Sequence, residues 1–515
     1  MITFFGLENF VDYVQPILPH VILIIAALIA PAIGMKTGKG AAGFMIAAGF
    51  FAMFVTGYMM WDGYTGTFGV MNTPVDGLSG LYAFNNFTGL MILLFLIVFC
   101  LVSLMSVRGG EIKRHRGEYF SILAIATVGM MFVVAAEELI SLFVALELTG
   151  IMSFALVASK KNDPRSSEAA VKYLIMSGLS TALFLYGMSL VYGFTGTMNI
   201  NEIVYFLATS NVTWAYMVAF ITLFAGIAFK VGIIPFHSWV PDVYDGAPTP
   251  VSAFLAVGSK KMGFVILLKV FFLLFIVTNA ISISTGAPER LMEIKWLFAA
   301  LAAGTMTIGN IIALTQTSVK RMLAYSSIAQ GGYLMIVLAV GTDYALMGGL
   351  LHMITHVFMK GGAFIVVAAL IAKGVGDKIS DYRGLSKRAP LVAFSMMIFM
   401  FALAGIPLTG GFVSKFVLFS SALEDPTWLW LAAAAVINSA VSLYYYARVV
   451  KAMYVDKPVT TERLRIHAGF KAALAICVVA ILIIGIWPGP VIEFCESGAD
   501  TYLTLFRDWL HVWHP

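Results

Sequence analysis

The sequence predicts an all-α polytopic membrane protein of about fourteen transmembrane helices, arranged as two inverted five-helix repeats with a broken helix in each. Three observations lead there. Hydrophobic residues make up 60% and charged residues only 11% of 515 positions, an apolar excess that needs lipid to cover it. Apolar runs long enough to cross a hydrocarbon core of roughly 30 Å, about 20 helical residues each, recur along the whole chain. Basic residues alternate between connecting segments in the way the positive-inside rule demands.

The runs lie near 15–34, 41–60, 84–107, 119–136, 139–159, 171–194, 214–234, 250–277, 295–315, 322–341, 344–372, 390–422, 428–449 and 470–490. The N-terminus opens on aromatics and Glu8 instead of a basic leader segment, so the first run is expected to be a retained helix. Run 390–422 exceeds a straight crossing and carries Gly405, Pro407, Gly410 and Gly411, which predicts a broken helix. Lys230 to Lys261 sets a lysine-bearing run against Pro235, Pro241, Pro248 and Pro250, then starts another lysine-bearing run. In a bilayer such a break is tolerated only where protein or a wet cavity satisfies the freed backbone groups.

With the N-terminus placed outside, the segments assigned to the inner face hold 22 of the 32 basic residues, and the outer segments hold Arg290 and Arg507. Both termini are therefore expected on the outer face. Eight lysines remain inside apolar runs: Lys172, Lys230, Lys260, Lys261, Lys269, Lys295, Lys360 and Lys415, with Glu147 as the one acid placed likewise. A charge buried in lipid costs several kcal/mol unless paired or hydrated, so each is a functional candidate to be weighed against a structural reading. Lys295 reads as a snorkelling residue at a helix start, and Lys269 as structural on the opposite helix face from Lys260. Lys261 stays open. Lys172, Lys230, Lys260, Lys360 and Lys415 read as mid-helix, where snorkelling is hard.

Lysine order also carries the repeat. Lys172 and Lys230 recur, about 185 residues later, as Lys360 and Lys415, each second lysine lying by Gly and Pro breakers. Five helices separate the paired elements, so the second unit is inverted. This gives one integral membrane domain over 1–515, with repeat one about 118–277, repeat two about 295–450, and flanking helices in 1–107 and 470–515.

Proton transfer through lipid needs groups that exchange protons near neutral pH. Lysine has a reference pKa of about 10.4, which burial depresses by up to about 3 to 5 units. A carboxylate such as Glu147 then acts as a switch, holding a proton on a lysine when near and releasing it when apart. His352, His356 and Lys360 recur every four residues on one helical stripe, a proton-conducting arrangement or, less simply, a His pair awaiting a metal or haem. His237 follows the first break, with Asp242 and Asp245 nearby, and serves either proton delivery or local packing.

Other functions find no support. Cys100, Cys477 and Cys495 have no metal-like or iron–sulfur spacing, and no dinucleotide fingerprint, P-loop or nucleophile motif is present. Despite a net charge of +5, the basic residues form no aromatic-interleaved patch for nucleic acid. Neither a metal nor a cofactor is expected on this chain.

ALEL around Glu147, EAAVKYLIMSG around Lys172, FKVGIIPFHSWVPDVYDGAPTPVSAFL from Phe229, SVKRMLAYSSIAQGGY from Ser318 and LAGIPLTGGFVSKF from Leu403 together resemble the antiporter-like subunits of respiratory complex I. The short C-terminus differs from the L-type subunit, and Lys415 from the M-type, which has glutamate there; the chain resembles the N-type. The resemblance implies a proton relay of Glu147, Lys172, Lys230, Lys260 and Lys415. It also implies M-type, L-type and small helical partner subunits, a peripheral redox arm holding flavin and iron–sulfur clusters, a quinone-like carrier, and a bacterial or archaeal cell membrane. HMITHVFMKGGAF at 352–364, with His356 and Lys360, is more similar to archaeal and methanogen relatives, among them a reduced-deazaflavin dehydrogenase. The alternatives are a D-type subunit of a multisubunit sodium/proton antiporter, which shares the fold, and a stand-alone solute transporter, for which no substrate-pocket signature is visible.

Overall fold

A run that is apolar on all sides is stable as a helix only inside protein or lipid, and the computed structural model is a bundle of such helices. It describes residues 15–65, 75–77, 81–107, 111–112, 114–209, 214–274, 292–458, 460 and 462–513. Glu8, Arg108, Lys113 and Arg290 lie outside the described residues, as does the side chain of Arg507.

In order, the helices are α1 (Leu18–Lys36), α2 (Gly38–Thr65), α3 (Asn86–Met105), α4 (Arg116–Ala135), α5 (Leu139–Val157), α6 (Pro164–Thr195), α7 (Ile200–Thr209) and α8 (Trp214–Val231). Then come α9 (Trp239–Gly246), α10 (Thr249–Phe272), α11 (Met292–Thr315), α12 (Val319–Val340), α13 (Asp343–Ile371), α14 (Pro390–Ala404), α15 (Gly410–Ser421), α16 (Leu429–Tyr454), α17 (Ala468–Ile486) and α18 (Gly489–Trp513). Thirteen spans among the described residues are long and apolar enough to cross a membrane, and α14 with α15 makes a fourteenth crossing in two pieces. The expected fourteen crossings are therefore present. Two features were not foreseen: a short antiparallel ribbon of β1 (Val75–Gly77) and β2 (Tyr82–Phe84), and the amphipathic α18. Asn86 on α3 donates to Ser497 and Thr501 of α18 at 3.2 and 3.3 Å, and Tyr502 stacks on Phe87.

Local chemistry starts the helices where the runs predicted them. Asn85, Ser318, Thr342 and Thr409 accept from the backbone N–H of Thr88, Arg321, Ala345 and Phe412, satisfying donors that a first turn leaves free. Burial then sorts the helices. α10, α12 and α13 are almost wholly enclosed, whereas α1, α2, α16 and α17 leave most of their residues facing outward. The enclosed trio forms the axis of the molecule, and most of the intramembrane lysines and histidines lie on it or against it.

Both breaks are present and are built alike. At the end of α8, Gly232 adopts φ +70°, and the Gly232 and Ile233 N–H groups both bond to Ala228 O at 2.9 and 3.1 Å. At the end of α14, Gly405 adopts φ +88°, and Gly405 and Ile406 both bond to Phe401 O at 3.0 Å. This left-handed termination stops a helix inside the protein while leaving its last carbonyls in need of donors. Trp239 Nε1 supplies one to Phe229 O at 2.9 Å in the first break, and Lys415 Nζ supplies the second break.

Candidate functional site

Glu147 lies half-buried near the middle of α5 and accepts a hydrogen bond from Thr181 Oγ1 on α6 at 2.7 Å. No described cation is within ion-pair distance of it. The lysine that reaches its helix is Lys230, in the last turn of α8 and buried. A Cβ placed on Gly150, three residues beyond Glu147, would lie 3.7 Å from Lys230 Nζ. Lys230 donates to Tyr173 OH at 3.3 Å and sits over that ring at 5.5 Å, while Tyr173 is itself held by stacking on Trp239. Glu147 and Lys230 are thus neighbours one helical turn apart, each with an alternative partner.

Lys172 departs from the expected mid-helix placement. α6 begins at Pro164, seven residues before the predicted run, so Lys172 falls in its third turn; it is 47% exposed. It pairs with Glu168 at 2.8 Å and Asp242 at 3.1 Å. Thr181, which marks the level of Glu147, lies nine residues further along α6, roughly 13 Å at the helical rise. Asp242 also takes Arg321 at 3.0 Å; burial pushes its carboxyl upward, but the Lys172 and Arg321 contacts outweigh this and hold it below the usual range.

Lys260 belongs to the first break. It follows a π-helical turn, Leu255–Ser259, a distortion often found at functional positions, and its ammonium donates to Ser327 O at 3.2 Å. A Cβ on Gly232 would come within 3.2 Å of Lys260 Nζ. His237, half-buried in the same break, is held below the ordinary imidazole pKa by burial, with the Lys260 charge adding to the effect. Its Nδ1 has no hydrogen-bond partner.

His352, His356 and Lys360 form a buried stripe on α13, with His352 meeting both α12 and α15 and Lys360 meeting α12. His352 meets Gln330 at 2.9 Å and Ser414 at 3.1 Å, and Lys360 donates to Ser326 at 2.5 Å. Ser326 is in turn bonded to Tyr446. Both ring nitrogens of His356 are buried without a hydrogen-bond partner, within electrostatic reach of Lys260, Lys261 and Lys360. Among the described residues no three His, Cys, Asp or Glu side chains converge as a metal-ligand set.

Lys415 on α15 turns back to cap the helix that the break interrupts. Its ammonium donates to Leu403 O at 2.7 Å, Ala404 O at 3.3 Å and Ser439 Oγ at 2.9 Å, and lies 5.0 Å from the Tyr333 ring centroid. Free carbonyls at a helix C-terminus favour a cation there. Gln330 also donates to Leu403 O, at 3.4 Å, so His352, Gln330, Leu403 O and Lys415 form one hydrogen-bonded line. A cavity of about 430 Å³ opens beside Lys415, lined by Pro407, Phe412, Phe416 and Ser439 among others.

The sequence pairing of Lys230 with Lys415 is not the correspondence seen at the breaks. Lys230 precedes its break, whereas Lys415 packs against the left-handed glycine of its own, with Cδ 3.1 Å from a Cβ on Gly405. The lysine packed the same way against Gly232 is Lys260. Sequence reasoning also passed over the hydroxyl and amide links Ser326, Ser327, Gln330, Asn310 and Tyr446. Their signal was visible: Ser326, Gln330 and Tyr333 recur at helical spacing inside an apolar run.

The remaining lysines are structural or open. Lys269 pairs with Glu137 at 3.1 Å and bonds Ala136 O, as its structural reading expected. Lys295 stands at the start of α11 as predicted, but is buried in protein. Lys261 is buried beside Lys260. Lys320, which falls just before the predicted run 322–341, is buried and donates to Asp245 O at 2.8 Å and Ala247 O at 2.9 Å. A second enclosed acid was missed: Glu111 pairs with Lys160 and accepts from Thr249 N. Burial raises the Glu111 pKa, but the Lys320 and Lys160 charges and these bonds more than offset it, leaving the carboxyl below its usual range.

The family described as NADH:quinone oxidoreductase/Mrp antiporter, transmembrane, matches residues 136–442. F(420)H(2) dehydrogenase subunit N of Methanosarcina mazei is 44% identical over 419 residues, 79% of this chain and 82% of that protein. NADH-quinone oxidoreductase subunit N of Desulforamulus reducens is 41% identical over 431 residues, 83% of this chain and 87% of that protein. A chain of respiratory complex I from Thermus thermophilus superposes with a TM-score of 0.76 at 27% identity, covering 93% of this chain and all of that one.

Proposed function

The chain belongs to the NADH:quinone oxidoreductase/Mrp antiporter transmembrane family, and from that membership we propose that its buried Lys, Glu and His residues carry protons for a redox-driven complex. It is an N-type, antiporter-like membrane subunit of such a complex. One observation carries the site reading: polar groups run along the enclosed axis from Lys230 and Lys260 at the first break, past His356 and Lys360, through Gln330 to Lys415 at the second. Apolar packing alone has no use for such a line, since each buried polar group must find a partner at a cost.

Glu147 is the switch. With its carboxylate on Thr181 and Lys230 on Tyr173, the two are apart; turning toward each other they form an ion pair that keeps the proton on Lys230. Two unit charges at 4 Å interact by about 4 kcal/mol at an effective dielectric of 20. Moving one charge against 100 mV costs about 2.3 kcal/mol, so making or breaking this pair is of the right scale to drive a proton onward. Lys260, His356, Lys360 and Lys415 continue the path, His237 delivers protons from the face bearing the basic loops, and Lys172 with Asp242 stands at that mouth.

The two breaks, each ended by a left-handed glycine with a lysine packed against it, support an inverted-repeat design in one integral membrane domain. Identity to the Methanosarcina mazei subunit and the 352–364 stretch support reduced deazaflavin as the electron donor. Flavin, iron–sulfur clusters and a quinone-like carrier belong to partner subunits and a peripheral arm, and this chain performs no redox chemistry. Both termini lie on the outer face. The N-type relatives favour this reading over a D-type sodium/proton antiporter subunit.

The test is purification of the native complex with wild-type chain and with Glu147→Gln. Flavin and iron–sulfur subunits should accompany both, and the variant should transfer electrons with reduced proton uptake in sealed vesicles. Normal pumping by a fully assembled Glu147→Gln complex would falsify the switch.

A further inference from the structure

On the face that carries the basic loops, three segments border an open pocket of about 590 Å³: the turn after α13, the short helix Leu385–Arg388 before α14, and residues 462–465 ahead of α17. Lys373, Arg388, Arg463 and Arg465 line it, with Asp381 and Glu462 as the carboxylates among the described lining residues. Among the described residues, none of these four cations has a carboxylate within ion-pair distance. Asp381 is engaged internally, accepting from Lys378 N at 3.1 Å and from Ser380 Oγ at 3.4 Å. The wall is built rather than incidental: Leu464 N donates to Arg388 O at 2.9 Å and Arg388 Nε to Glu462 O at 3.4 Å, fixing the 462–465 segment against the short helix Leu385–Arg388.

Four cations against two carboxylates, with no ion pair among them, leave the pocket with an excess of positive charge that repels itself, and an anion with several oxygens relieves that repulsion. Guanidinium groups match phosphate oxygens bidentately, and three of the four cations are arginines. We infer that this cavity binds a phosphate-bearing anion, and that its source is the headgroup of an anionic phospholipid. The surroundings point to lipid. α14 begins at the cavity's rim, and Leu391 and Phe394 on its first turns are 53% and 48% exposed, an apolar track leading from the basic cavity into the bilayer. Basic pockets at the inner membrane surface are suited to such headgroups, because the anionic leaflet concentrates them there. This inference stands independently of the proton path, which uses none of these residues.

The experiment measures hydrogen exchange of the 373–388 and 462–466 backbone in the purified native complex. Three conditions are compared: nanodiscs of phosphatidylcholine, the same with added phosphatidylglycerol, and phosphatidylcholine nanodiscs with millimolar inorganic phosphate. A ligand occupying nine-tenths of sites slows exchange through local opening about tenfold. That slowing is expected with phosphatidylglycerol in the wild type and should vanish in Lys373→Gln/Arg463→Gln, whose side chains make no described hydrogen bond and so leave the wall intact. Equal slowing by phosphate alone supports the site and assigns free phosphate as the source. Exchange that responds to neither, as when an acidic partner segment already fills the cavity, overturns the inference, and so does equal slowing in the double variant. The wild-type comparison decides even if the variant complex fails to assemble.

Discussion

Replacing Lys415 separates a proton carrier from a structural cap. In Lys415→Met, Leu403 O, Ala404 O and Ser439 Oγ lose the ammonium. Both carbonyls keep a second donor, Gln330 Nε2 for Leu403 O and Ser439 Oγ for Ala404 O. The loss therefore stays near the lower end of the 1–3 kcal/mol range for a buried group left short, about 2 kcal/mol for the two together, and the complex should still assemble. Lys415→Arg keeps donors for the same carbonyls, and the adjoining cavity of about 430 Å³ gives the larger head room. A guanidinium does not release its proton at physiological pH. Removing a carrier that lowers the transfer barrier by even about 1.4 kcal/mol slows that step tenfold. Both variants should accordingly assemble at near wild-type levels and lose about tenfold or more of proton uptake, measured in sealed vesicles against the amount of assembled complex. Full pumping by Lys415→Arg, together with failed assembly of Lys415→Met, would refute the relay and leave a cap.

Gly232→Ala should depress pumping with assembly retained: left-handed backbone costs a non-glycine residue about 1–2 kcal/mol, and the new Cβ falls 2.7 Å from Val240 Cγ2 and 3.2 Å from Lys260 Nζ. Gly304→Ala, which meets nothing within 4 Å, is the control and should pump normally. Lys172→Gln should lower vesicle proton uptake less than Lys230→Gln, because Lys172 is half-exposed and lies away from Glu147; equal losses would place Lys172 back in the relay. Glu111 has a folded pKa below its unfolded value of about 4.3, so its contribution is present above that value and is lost as pH falls through the lower folded one, at about 1.4 kcal/mol per unit of lowering. Thermal unfolding of Glu111→Gln should hence be lower than wild type at neutral pH and converge on it in acid; a constant gap across pH would argue against the ion-pair account. Cysteines at Arg114 and Asp425 should react with impermeant reagents from opposite membrane faces, and labelling of both from one face would show that a crossing between them is miscounted.

The sequence by itself determined the class, the fourteen crossings, both breaks and nearly all the ionisable groups of the axis. Hydropathy and loop charge are sums over consecutive residues, and a lipid environment allows them few solutions: a run of that length with that composition must be a helix, and a Gly–Pro break within it must be enclosed. What the sequence could not show was which groups meet. Lys172 and Lys230 look alike in a linear reading, yet the early start of α6 carries Lys172 out to Glu168 and Asp242, while the end of α8 brings Lys230 alongside Gly150. Linear offsets paired Lys415 with Lys230, whereas the left-handed glycines pair it with Lys260, because a lysine's place at a break depends on where its side chain returns to and not on its distance along the chain. Ser326, Gln330 and Tyr446 are ordinary in an apolar run until α12, α13 and α16 pack together, and Glu111, in a loop by sequence, is enclosed only when Lys160 and Thr249 close over it. Pairing is a property of distance in space, and tertiary packing alone sets that distance.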